Sequence, residues 1–322
     1  VTAAGRIVHG FAGIGWSEAL RGLGLSDTGL ELSESACRTR AGAGHPTIRC
    51  DVSQYPTAPF RGRTWGGIWS PPCPPFSRMG SGKGRHDLPH ICSAIDDLAS
   101  GHDTRAQHGA RCLDSRSILT AEPMRWIHDL EPEWIAMEQV PSVLSVWEHY
   151  AGILRNHGYS VTTGVLDAAR FGLGSHRPRA VLLASRMHGV ILPEPTHGGT
   201  GQPPLVAMAD IIGWGYTQRP APTVTSGGTS TGGAEPFGNG SRQAMRKAMG
   251  TDRWKERSLP HLRPTVAEAA ALNGLRRDLV IHGNAGQRYT LAGNVVPPLF
   301  ARSLITAATG ITAGSCGLEA VS

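Results

Sequence analysis

The chain has no apolar run near the roughly 20 residues that a membrane-spanning helix needs. Its longest runs, such as "AVLLAS" over 180–185, have the length of a strand. No basic-then-apolar stretch opens the sequence, so no export signal is expected; the first residue is Val1 rather than methionine, as expected of a trimmed start. Regular cysteine spacing is also missing. The six cysteines (Cys37, Cys50, Cys73, Cys92, Cys112, Cys316) form neither a disulfide framework nor a zinc-ligand pattern, and reduced thiols are the expectation. No long repeat is visible, and the 42 glycines and 23 prolines have no collagen-like period, so they mark loops. Acidic residues are the minority among the charges. The net charge of +6 suits a polyanionic partner without requiring one.

What is present fits a large α/β domain of a 322-residue chain. Strand-like runs alternate with helical patterns: "RIVHGF" (6–11), "GLELS" (29–33), "TIRCDV" (47–52), "WGGIWS" (65–70), "WIAMEQV" (134–140), "YSVTTGVL" (159–166) and "RAVLLAS" (179–185). A helix is predicted over 143–156, with Leu144, Trp147 and Ala151 on its apolar side. Such alternation predicts a mostly parallel sheet. From about 187 to 262 the sequence turns Gly/Ser/Thr/Pro-rich, interrupted by "ADIIGWGY" and "PTVTS", which read as short strands. Helical order returns over 265–275 and after Pro298. The predicted organisation is a catalytic domain from 1–186 and 263–322, with a small, loop-rich domain, 187–262, inserted between its halves.

"FAGIGWSEALRGLGL" begins where the first strand ends. Gly13 and Gly15 permit a sharp turn and close backbone approach, and the helix that follows offers free N–H groups. Either a tight turn or a ligand loop satisfies this pattern. Glu31 closes the second strand, where a carboxylate grips ribose hydroxyls in dinucleotide-type sites. Asp51 closes the third, in reach of an adenine amino group; a solvated strand end is the alternative for both. Three such features on adjacent strands point to an adenosine-containing cofactor.

"SPPCPPFS" (70–77) is open to two readings. Ser-Pro-Pro followed by one more residue resembles the signature of methyltransferases acting on exocyclic amines of DNA bases. Pro-Cys-x-x-Phe-Ser resembles a nucleophile loop. With "FAGIG", "PPCPPFS", "EQV", "HRPRAVLLAS" and "GNVVPP" in this order, the chain resembles the cytosine-C5 DNA methyltransferase family from Phe11 to about Ile305, interrupted at 187–262 where that family varies. The amine reading needs an aromatic side chain at position 73, and Cys73 does not supply one.

The resemblance implies a Rossmann-like, mostly parallel sheet with an inserted target-recognition domain. It implies S-adenosylmethionine as cofactor, held by Phe11, Gly13, Ile14, Gly15, Glu31, Leu32, Asp51, Val52, Pro72, Asn294 and Val296. It implies a catalytic set of Cys73, Glu138, Arg177 and Arg179. Cys73 would add to C6 of a flipped cytosine, making C5 able to take a methyl group. Glu138 would serve N3 and the exocyclic amine. Arg179 would contact O2 and fix Glu138, and Arg177 would steady the nucleophile loop or a phosphate. The last motif would pack back onto the glycine loop and complete the cofactor's pocket. Double-stranded DNA is the expected partner of a monomer with no membrane attachment and no metal. The setting is cytoplasmic, in a bacterial or phage-infected cell, and includes restriction-modification. A branch acting on tRNA is second, since its Cys-Phe-Thr motif is missing; a catalytically silent DNA-binding protein is third.

Five positions depart from the family pattern: His9 and Gly10 replace Asp-Leu before Phe11, Pro74 and Ser175 each replace glutamine, and Gln139 replaces asparagine. Gln139, one methylene longer, bears on the shape of the target pocket or on the group transferred. The long segment 79–112 reads as a mobile basic lid, with Ser77, Arg78, Lys83, Arg85 and Arg116 toward phosphates. In "SRQAMRKAMGTDRWKER" (241–257), Arg242, Arg246, Lys247, Arg253 and Lys255 are expected on a nucleic-acid backbone, although a charge run is usually a solvated face.

Overall fold

The computed structural model describes residues 6–72, 76, 82–226, 236–258 and 262–312. Seven strands form one sheet: β1 (Arg6–Gly10), β2 (Asp27–Glu31), β3 (Thr47–Arg49), β4 (Thr64–Trp69), β5 (Trp134–Gln139), β6 (Ser160–Asp167) and β7 (Pro178–Ser185). Their order is β3-β2-β1-β4-β5-β7-β6. All neighbours are parallel except β7, which runs antiparallel to both β5 and β6. All seven strands predicted for the sheet are present, because each is a short β-rich run bounded by turn residues. β5 is buried along its whole length, as a central strand covered on both faces must be.

Helices cover the two faces. On one side, α1 (Gly15–Arg21) contributes Trp16, Ala19 and Leu20 to a core shared with Phe300, Leu304 and Ile305 near the C-terminus. α2 (Glu34–Gly42) connects β2 to β3, and its N-terminus is capped by the Ser33 hydroxyl. On the other face lie α3 (Leu88–Ala99), the short α4 (Arg105–Gly109), α5 (Glu122–Leu130) and α6 (Leu144–Asn156). Strand order reverses around β1: the chain builds β2 and β3 on one side of it, then returns to β4 on the other. In open α/β sheets that switch point, at the carboxyl ends of the strands, is where ligands bind.

The segment expected as a mobile lid is corrected by α3. Ile91, Ala94, Ile95 and Leu98 recur at three- and four-residue spacing, and all are buried in the main core. Fully burying each Ile or Leu contributes roughly 1.5–3 kcal/mol, which a solvated lid would forgo. Asp87, itself buried, accepts from the backbone N–H groups of Leu113 and Asp114 and from the Ser117 hydroxyl, tying the segment's two ends together. Arg116 pairs with Asp114 rather than projecting alone. Lys83 and Arg85 remain exposed at the near end.

The region 187–262 contains α7 (Met208–Ile212), β8 (Gly215–Tyr216), α8 (Asn239–Ala248) and β9 (Trp254–Lys255), with β8 and β9 antiparallel. "ADIIGWGY" is thus mainly a helical turn followed by a strand. "PTVTS" joins no strand; only Ala221, just before it, bridges to Ser175. α9 (Val266–Leu272), α10 (Ala285–Asn294) and α11 (Pro298–Thr309) follow. Met208, Trp214, Tyr216, Phe237, Met245 and Trp254 share one core with Ala269, Leu272 and Leu291 of α9 and α10. Apolar contact therefore continues across position 262.

A candidate active-site cleft at the strand ends

A cavity of about 720 Å³ opens at the switch point. The turn after β1 forms one wall. Phe11 and Gly13 both have positive φ, 56° and 47°, a conformation that a bulky residue holds only under strain. The Gly13 N–H donates to Glu31 Oε2 at 2.9 Å, and the Ser33 N–H donates to Oε1 at 2.7 Å. Two backbone donors thus orient the Glu31 carboxylate while each oxygen keeps a lone pair for a ligand hydroxyl. Leu32 is 63% exposed beside it and offers an apolar face to the cleft. Asp51 Oδ1 accepts from the Ser53 amide and hydroxyl; Asp51 and Val52 line the same wall, as does Ile14.

Gly15 brings two distant parts of the chain together. A Cβ built there would lie 1.7 Å from the Val296 carbonyl oxygen and 2.7 Å from a Val295 methyl. The glycine loop and the segment after α10 are therefore in backbone contact, and Asn294 and Val296 line the cleft beside it.

The opposite wall comes from β4, β5 and β7. Ser70, Pro71 and Pro72 line it, but Cys73, Ser77 and Arg78 lie outside the described residues. Glu138 pairs across the sheet with Val181, so Arg179, two residues along β7, shares its face. Arg179 Nε stands 2.7 Å from Glu138 Oε1, with both side chains largely buried. Arg179 also donates to the Pro178 carbonyl at 2.7 Å, so the guanidinium is anchored behind the carboxylate.

Arg177 lines the cavity, yet its Nη1 donates to the carbonyls of Val224 and Gly293, at 3.3 and 2.9 Å. It clamps the inserted region to the end of α10.

Gln139 lines the cleft, where its side-chain N–H donates to the Pro71 carbonyl and its Oε1 accepts from the Val140 N–H. The extra methylene spans from the end of β5 to the stem of the loop that carries Cys73. Replacing Gln139 with leucine leaves the buried Pro71 carbonyl unpaired, so urea unfolding should show a loss of about 1–3 kcal/mol. Turnover should fall along with it; wild-type stability and turnover in that variant would show that the bond is idle.

Ser35, Gln287 and Thr290 also line the cleft, and motif reading missed them. For Gln287 a signal was available. Asn284-Ala-Gly-Gln287 is a capping box, with Asn284 and Gln287 each accepting from the other's backbone N–H, and it puts the first turn of α10 at the cleft. Among the basic residues of the inserted region, Arg246, Lys247, Arg253 and Lys255 are exposed, whereas Arg242 donates to Asn239 and is half-buried. No helix among the described residues is long and apolar enough to cross a membrane.

The cleft has the means to hold a nucleoside with its ribose on Glu31, next to a carboxylate–guanidinium pair suited to a flat, hydrogen-bonding ring. The family model of the C-5 cytosine-specific DNA methylases matches residues 105–198. The type II methylase M.HgiDII of Herpetosiphon aurantiacus is 32% identical over 84 residues. That match covers 24% of this chain and 24% of the relative, so the chain spans about a quarter of the length of the curated relative it matches. The crystal structure of the S. pombe Dnmt2 methyltransferase aligns over 94% of this chain and 97% of that one, with a TM-score of 0.59 and 16% identity. The Entamoeba histolytica methyltransferase EhMeth aligns over 96% and 99%, with a TM-score of 0.59 and 13% identity. At such identities the two structures speak for the fold.

Proposed function

We propose that the chain acts as a cytosine-C5 methyltransferase, as its similarity to that family suggests, and that it methylates C5 of a cytosine extruded from duplex DNA, with S-adenosylmethionine as the methyl donor. The observation that carries this reading is the Glu138–Arg179 pair, 2.7 Å apart, in the cavity that also holds the glycine loop and Glu31. One site then offers an adenosine cradle and a proton-managing group for a pyrimidine.

The cofactor fits what lines the cleft. Glu31 would take the ribose hydroxyls, Leu32 and Val52 would flank the adenine, and Asp51 would meet its amino group. The Gly13–Gly15 turn, with Asn294 and Val296, would surround the methionine end. When bound, S-adenosylmethionine supplies an electrophilic methyl group on a sulfonium.

The chain's own residues do the rest. The Cys73 thiolate adds to C6, and the electron pair displaced from the C5–C6 bond leaves C5 enamine-like. The ring gains negative charge as this happens. Glu138 offsets it by giving N3 a proton or a strong hydrogen bond while accepting from the exocyclic amine. Arg179 keeps Glu138 turned toward the ring and offers donors to O2. Once C5 carries its new group and loses its proton, the C6–S bond breaks and the thiolate is restored. In this reading 187–262 is the target-recognition unit, and its exposed Arg246, Lys247, Arg253 and Lys255 meet the phosphates.

Incubation with S-adenosylmethionine labelled in its methyl group, with duplex DNA in one arm and tRNA in the other, tests the proposal. Label in the DNA, recovered as 5-methylcytosine, is the expected result. Label confined to tRNA would transfer the activity to RNA, and no label in either would leave a nucleic-acid-binding protein. Cys73→Ala should abolish transfer while changing cofactor affinity by no more than about twofold; turnover near wild type would end the covalent scheme.

A further inference from the structure

Behind the glycine loop lies a buried polar cluster that no step of this reaction uses. Arg40, in the last turn of α2, is fully buried, and all five of its N–H donors are engaged. Nε donates to Thr47 Oγ1 at 2.8 Å. Nη1 donates to Ser17 Oγ at 2.5 Å and to the Gly13 carbonyl at 3.2 Å. Nη2 donates to Asp27 Oδ2 at 3.1 Å and to the Pro46 carbonyl at 3.2 Å. Asp27 Oδ2 also accepts from His9 Nδ1 at 2.7 Å and from the Ser17 hydroxyl at 2.8 Å. Burial opposes ionisation of Asp27, but these partners overcome it and hold the carboxyl well below the usual carboxylate range.

The guanidinium lies against the β2 backbone, where a Cβ at Gly29 would come within 2.3 Å of Nη2. His9, which stands where the resemblance expects an aspartate, leaves the cluster's carboxylate to β2.

Gly13 is consequently held at both of its polar groups: Glu31 takes its N–H, and Arg40 takes the loop's carbonyl from inside. On the cleft side a Cβ at Gly13 would meet nothing within 4 Å. We infer that Arg40 is a positioning residue for the cofactor, and that the His9–Asp27–Ser17–Arg40 cluster sets the shape of the glycine loop before the cofactor arrives. This rests on the proposal that the cleft takes S-adenosylmethionine. A loop held in its binding shape saves the ordering cost on association, so the cluster acts on affinity rather than on the bond-making step. Lysine keeps the charge, but with three donors on a point-like ammonium it cannot reach the five acceptors.

The test measures the dissociation constant of S-adenosylhomocysteine by calorimetry for the wild type, Arg40→Lys and Ser17→Ala, together with hydrogen exchange of the 11–15 amides in the ligand-free proteins. Arg40→Lys should weaken binding by roughly tenfold or more, with kcat at saturating cofactor within about threefold of wild type. Ser17→Ala, a small change in a well-packed site, should weaken binding by roughly threefold and keeps the test valid should Arg40→Lys not fold. In both variants the loop amides should exchange faster than in the wild type, while those of β5 do not. Affinity within about twofold and unchanged loop exchange in a cooperatively folded variant would overturn the inference, whatever happens to its Tm. A wild type that binds no S-adenosylhomocysteine would instead overturn the cofactor assignment, and the exchange measurement would still decide whether the cluster holds the loop.

Discussion

Glu138→Gln should lower the turnover number by about 10²–10⁴-fold, the range that removing a positioned acid or base produces. Glutamine preserves the volume and one acceptor, so the base still fits. It cannot give N3 a proton, and the negative charge that thiolate addition puts on the ring then goes unmatched. The change also removes the partner of Arg179, whose Nε lies 2.7 Å from the carboxylate, and leaves a largely buried cation uncompensated. That makes Glu138→Gln destabilising as well as slow, and the two effects need separate measurement. Single-turnover methylation at saturating DNA and cofactor reads the chemistry, and urea unfolding reads the stability. A single-turnover rate within tenfold of wild type would remove Glu138 from the mechanism.

Gly15→Ala is the second large effect, and its origin is steric. The added methyl would sit 1.7 Å from the Val296 carbonyl oxygen, and the atom in the way is main chain that cannot rotate aside. Overpacking a well-packed site typically costs about 1–3 kcal/mol and more where backbone must shift; here the upper end or beyond is expected. The segment 294–296 must lift off the glycine loop, and it lines the cleft where the cofactor is proposed to bind. Binding of S-adenosylhomocysteine should fall by roughly a hundredfold or be lost, and Tm should drop by several degrees. Gly13→Ala is the informative control. It meets open space and suffers only from the positive φ of 47°, so its cost should be roughly 1–2 kcal/mol. Equal effects at the two positions would show that backbone approach at Gly15 is not what matters there.

Much of this protein is determined by its sequence. The seven strands are short apolar runs set between turn residues, and their alternation with helices leaves a mostly parallel sheet as the stable way to cover both faces. The turn after β1, the carboxylate closing β2, and the carboxylate–arginine motifs on β5 and β7 are local signals. Their meeting in one cleft follows from the switch point in strand order. Local signals were also overlooked: α3 carries a clear apolar period, but the glycines and cations flanking it made the segment look like a lid.

The tertiary structure decided what long polar side chains do. The resemblance gives Arg177 a role beside the loop of Cys73 or a phosphate, and the fold adds an acceptor 116 residues away, the Gly293 carbonyl. Gln139 reads as a departure at the target pocket, and the fold has it bond a carbonyl 68 positions away, at the stem of the loop that carries Cys73. Arg40 looks like an ordinary helix-end cation until the fold places Gly13, Ser17 and Asp27 around it. The physical reason is common to all three. An apolar side chain needs only burial, which a periodic pattern announces, whereas a buried polar group needs particular partners within about 3 Å. Which residues become those partners is decided only when distant strands and helices close on one another.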